Sequence, residues 1–88
     1  MPVTNKVVSV GTAVVELSGP HISSKYVYLQ DGDFDGDSII YVGGSTVSAA
    51  DGIMLSKTTP SVFETNADDS IYAICSAADG SVRVIEVK

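Results

Sequence analysis

The chain holds one cysteine, Cys75, one histidine, His21, three prolines and no tryptophan in 88 residues. A lone cysteine excludes an intramolecular disulfide, and the absence of paired cysteines fits a chain folded in a reducing cytoplasm. Basic residues are equally sparse. Lys6, Lys25, Lys57, Arg83 and Lys88 are scattered, against 11 acidic residues and a net charge of −6. No basic patch exists to follow a phosphate backbone, so nucleic acid is not an expected partner. No apolar run approaches the roughly 18 residues of a membrane-spanning helix, and no membrane partner is expected. Met1–Lys6 also lacks the apolar region of a cleaved signal peptide, so synthesis in the cytosol is expected.

What is present is a high apolar fraction, 44%, with only 18% charged residues. A chain of this length buries only about 60–65% of its unfolded surface, and its stability falls at roughly 4–13 kcal/mol. A thin core with many apolar side chains leaves room for a subunit interface. The apolar runs are short and rich in Val, Ile, Thr and Tyr, which favour pleated structure. They predict strands at Val7–Val10, Ala13–Leu17, Lys25–Gln30, Ser38–Val42, Ile53–Leu55, Ser61–Glu64, Ile71–Ser76 and Val82–Val87, with turn residues between them. The expected fold is all-β: a small antiparallel β-sandwich, jelly-roll-like, of seven or eight short strands. Residues 1–6 read as an N-terminal arm able to order against a neighbouring subunit, and residues 7–88 as a single β-sandwich domain. Ser45–Leu55 has room for a helical turn, limited by Asp51-Gly52. Ile71–Cys75 and Ile39–Val42 are apolar at both parities. Either one side faces a partner, or Tyr28, Tyr41 and Tyr72 lie half-exposed with solvated hydroxyls.

The densest charge lies in Asp31-Gly32-Asp33-Phe34-Asp35-Gly36-Asp37. Asp31, Asp33, Asp35 and Gly36 match the first, third, fifth and sixth positions of a helix–loop–helix calcium loop. The twelfth position, where a bidentate Glu belongs, is Val42, and the flanks are strand-like, which rejects that motif. A looser calcium site built from Asp31, Asp33, Asp35 and Asp37 stays open. The charge does not demand it: carboxylates about 6–7 Å apart in water repel by about 0.6–0.7 kcal/mol, and Asp and Gly are what turns prefer. The favoured expectation is a solvated hairpin tip pairing Lys25–Gln30 with Ser38–Val42, without cofactor.

Remaining candidates for chemistry are weak. Ser48–Gly52 recurs as Ser76–Gly80, Ser-Ala-Ala-Asp-Gly in each, which reads as shared turn chemistry; Asp-Gly suits the positive φ of a tight hairpin, so the second copy should join the last two strands. His21, after Pro20, reads as a surface loop residue rather than an acid–base group. Cys75 sits mid-strand among apolar residues, as a buried and inert thiol does. Gly43-Gly44-Ser45-Thr46 lacks the Lys and the spacing of a phosphate-binding loop. No set of nucleophile, base and oxyanion donors assembles, so no catalytic residues are assigned and no enzyme activity is expected.

Tyr41-Val42-Gly43-Gly44-Ser45-Thr46-Val47 followed by Asp51-Gly52-Ile53-Met54-Leu55, and the ending Ser70–Cys75 with Val82–Glu86, resemble small β-sandwich structural proteins of tailed bacteriophages, as does Gly11–Gly19. The resemblance runs from about Val7 to Val87 and is carried by turn-and-strand patterns. It implies a capsid decoration (cement) protein: a homotrimer bound to the major capsid protein on the virion exterior, made in the host bacterial cytoplasm. The Asp-Gly loop departs from that group, which has a shorter polar turn there, so calcium gains nothing from the resemblance. The alternative is a receptor- or glycan-binding module of a phage tail or head fibre, touching sugar through exposed Tyr side chains and the acidic loop.

Overall fold

The computed structural model describes residues 3–22, 24–32 and 38–88. Eight strands follow in chain order: β1 (Val3–Val10), β2 (Val15–Ser18), β3 (Lys25–Asp31), β4 (Ile40–Gly43), β5 (Ile53–Met54), β6 (Ser61–Thr65), β7 (Ile71–Cys75) and β8 (Gly80–Val87). They form two four-stranded antiparallel sheets, ordered β1-β8-β3-β6 and β2-β7-β4-β5. This is the strand order of a jelly roll, within the small antiparallel sandwich that the patterning predicts.

Period-two alternation builds the core. Val27 and Leu29 on β3, Val82 and Val84 on β8, Ile40 and Val42 on β4, and Ile71, Ala73 and Cys75 on β7 all point inward and are buried, with Val10, Leu17 and Leu55 completing the cluster. β2 carries a bulge between Glu16 and Ser18, and Leu17 and Ser18 are consecutively buried. Such an irregularity re-aims a side chain: Leu17 fills core and Ser18 reaches a buried carboxylate described below. Ser45–Leu55 holds no helix; two turns fold it, closed by Val47 N–H donating to the Gly44 carbonyl at 3.1 Å and Gly52 N–H donating to the Ser48 carbonyl at 2.9 Å.

Two expectations about connections are overturned. Lys25–Gln30 and Ser38–Val42 do not pair through the acidic loop. β3 bonds to β8 and β6, whereas β4 bonds to β7 and β5, so the segment between them crosses from one sheet to the other. Hairpin loops run to about 2–5 residues, whereas eight residues, 32–39, separate β3 from β4. Likewise β7 and β8 lie in different sheets, so the second Ser-Ala-Ala-Asp-Gly turns a corner of the sandwich. Among the described residues no glycine has positive φ and only Asp68 does, at 70°, which removes the tight-hairpin reading of Asp79-Gly80. β1 also begins at Val3 rather than Val7. Val3–Lys6 pair with Val84–Val87 of the same chain, while Met1 and Pro2 lie outside the described residues.

Candidate assembly surface

The residues of opposite parity make a second apolar surface, on the outside. In the β1-β8-β3-β6 sheet, directly opposed residues share a face. One row across the strands is Val3, Val87, Tyr26, Glu64; the next is Asn5, Ile85, Tyr28, Val62; the third is Val7, Arg83, Gln30. Ile85, Tyr28, Tyr26 and Val62 stand at 42%, 37%, 44% and 53% exposure. Asn5, Glu64, Arg83 and Gln30 surround them. An apolar, tyrosine-bearing centre inside a polar rim is the anatomy of a protein–protein interface. The opposite sheet places Tyr72 and Ile74 of β7 and Tyr41 of β4 outward, half-buried, beside exposed Met54.

The two sheets are tied at one end by a polar cluster. Lys25 (2% exposed) and Glu86 (6%) point inward, Nζ to Oε2 3.3 Å apart. Ser18 Oγ donates to the same oxygen at 2.5 Å, and Lys25 Nζ also donates to the Gly19 carbonyl. Thr4 Oγ1 donates to Glu86 Oε1 at 3.4 Å, with Lys88 Nζ 3.8 Å from that oxygen. One carboxylate thereby joins β1, β2, β3 and β8. Burial pushes the Glu86 carboxyl up, but the hydrogen bonds from Ser18 and Lys25, together with the Lys88 and Lys25 charges, hold its pKa below the ordinary value of 4.5. Sequence reading missed this cluster. Its signal was parity: Lys25 shares a face with Val27 and Leu29, and Glu86 with Val82 and Val84.

Of the candidate calcium ligands, Asp33, Asp35 and Asp37 lie outside the described residues. Asp31 is the last residue of β3, 1% exposed and thus not at a solvated tip. Its Oδ2 lies 3.9 Å from Lys57 Nζ, and its N–H donates to the Ser56 carbonyl. A strand parity that carries Val27 and Leu29 inward carries Asp31 inward too. His21 lies in a loop, its carbonyl accepting from Asp68 N–H at 3.1 Å. Cys75 is a free, buried thiol in the core.

No family model matches the chain, and no curated protein does. Among solved structures it is similar to one of Bacillus endospore appendages, described as forming a novel family of disulfide-linked pili: 17% identity, a TM-score of 0.57, covering 99% of this chain and 85% of that chain. At that identity the likeness is one of fold, a small β-sandwich. The phage resemblance rests on the strand and turn motifs of the sequence.

Proposed function

We propose that this chain is a non-enzymatic structural subunit that assembles, on an extracellular or particle surface, through the outer face of the β1-β8-β3-β6 sheet. The observation that carries this reading is the register of Val87, Tyr26, Ile85, Tyr28 and Val62 across that face, while the inward residues already supply a complete core. Covering such a face offsets the thin core of a small domain, at about 25 cal/mol per Å² of apolar surface buried. The fold likeness to a pilus protein supports the reading. Cys75, the only cysteine in this sequence, is 4% exposed, so the proposed contact through this face does not invoke a disulfide.

The finer reading is capsid decoration: a homotrimer seated on the major capsid protein at the outside of a phage head. The motifs around Tyr41–Val47 and Ser70–Cys75 favour it. The test is co-sedimentation of purified protein with expanded heads, scored with heat challenge of heads bearing or lacking it. Saturable binding and a higher disruption temperature are expected. Heads that ignore the protein, or are equally robust without it, refute decoration. Filaments or rings of the protein alone in electron micrographs would place it instead with self-assembling appendages.

A further inference from the structure

The sandwich presents apolar side chains on both of its outer sides, and the two sides differ in shape and in charge. The outer face of the β1-β8-β3-β6 sheet is hollow: Tyr28, Gln30, Arg83 and Ile85, with Pro60 at the lip, line a depression of about 240 Å³. The outer face of the β2-β7-β4-β5 sheet carries a projection instead. Met54 stands 59% exposed beside Tyr41, with Tyr72 and Ile74 on the same side. We propose that these two faces are complementary, so that the Met54 face of one copy seats in the Tyr28–Ile85 hollow of a second copy of this chain. The proposal rests on the reading of the hollow face as an assembly surface and names what covers it.

Shape favours unlike faces. A cavity of about 150 Å³ already accommodates benzene, so the hollow has room for a methionine side chain, which is unbranched and fills irregular gaps. Two hollow faces pressed together enclose a void and lose contacts at the centre. Charge favours the same pairing. Arg83 lies in the hollow, and Glu64, on the same face, stands two rows away. The strands β2, β7, β4 and β5 hold no Lys or Arg, and their single charged residue is the exposed Glu16, in register with Tyr72. The hollow therefore offers a cation and the Met54 face a carboxylate, whereas two Met54 faces bring together two carboxylates and no cation. A contact between unlike faces is heterologous. Each copy that joins keeps one face free, so association continues until it closes as a ring or runs on as a filament, and a two-fold dimer does not arise.

Two variants of the whole chain test this by sedimentation equilibrium, alone and mixed. Ile85→Lys blocks the hollow and leaves the Met54 face; Met54→Lys blocks the projection and leaves the hollow. Both positions are exposed, and unchanged urea midpoints check that both variants fold. Each variant alone is expected at the 9.1 kDa monomer mass. An equimolar mixture is expected to form a species of two chains and nothing heavier, because one live hollow meets one live projection. Met54→Ala, which adds no charge, should weaken association of the otherwise unaltered chain about tenfold. If Ile85→Lys is monomeric but Met54→Lys or Met54→Ala associates as strongly as the wild type, or if the mixture stays monomeric, the pairing of unlike faces is overturned while assembly through the hollow face stands. If the wild type is itself monomeric, or Ile85→Lys associates as strongly as the wild type, the assembly reading falls and this proposal with it.

Discussion

A Cβ at position 80 would stand 2.5 Å from Cys75 Sγ, 2.8 Å from Ile40 Cδ1 and 3.0 Å from the Val10 carbonyl oxygen. Glycine is required there by close approach, since its φ is not positive. Gly80→Ala is expected to cost about 1–3 kcal/mol through overpacking, read from urea midpoints. Adding Cys75→Ala should recover part of that loss, and strictly additive losses would remove the proposed clash. The Lys25–Glu86 pair makes a second prediction. Lys25→Met leaves a buried carboxylate without its cation and should cost about 3–5 kcal/mol, comparable to the whole stability of a small domain. Because the folded pKa of Glu86 is depressed, its contribution is fully present above about pH 4.5 and is lost as pH falls through the lowered value. Stability below pH 4.5 should therefore fall less steeply in Glu86→Gln than in the wild type; equal slopes would show that the carboxylate is not held this way. Cys75 was legible from its apolar neighbours. The cluster was not, because Ser18 joins it through a bulge and Lys25 and Glu86 are 61 positions apart.

At the scale of elements, the strands were readable and their partners were not. β-branched runs and turn residues located all eight to within a few residues. Pairing by proximity then failed for a topological reason: β4 and β5 are the only consecutive strands that share a ladder, and every other connection passes between the sheets. A reading that makes each Asp-Gly a hairpin cannot anticipate this, since the same residues serve at a corner. The topology also ranks local stability. β8 and β3 are central in one sheet and β7 and β4 in the other, while β1, β6, β2 and β5 are edges. Amide hydrogen exchange should be slowest at Val27, Leu29, Val82, Val84 and Ala73 and faster along the solvent side of β1 and β6. Protection of β1 or β6 equal to that of β8 in dilute, monomeric protein would contradict the order.

At the scale of the whole molecule, one face of the β1-β8-β3-β6 sheet builds the core, and the proposed assembly uses the opposite face of the same sheet. The sequence pointed to a partner face at Ile71–Cys75 and Ile39–Val42, where both parities are apolar, but those strands lie in the β2-β7-β4-β5 sheet, and the sequence could not say which side was core. The structure separates them through register: Ile85, Tyr28 and Val62 fall in one exposed row. The most direct test is sedimentation equilibrium of the wild type and of Ile85→Lys over a range of concentrations. Ile85 is 42% exposed, so the charge leaves the fold and its urea midpoint nearly unchanged while placing an uncompensated ammonium at the centre of the contact. A wild-type species heavier than the 9.1 kDa monomer and a monomeric variant are expected. A wild type that stays at monomer mass at every concentration, or a variant that associates as strongly, would contradict assembly through this face.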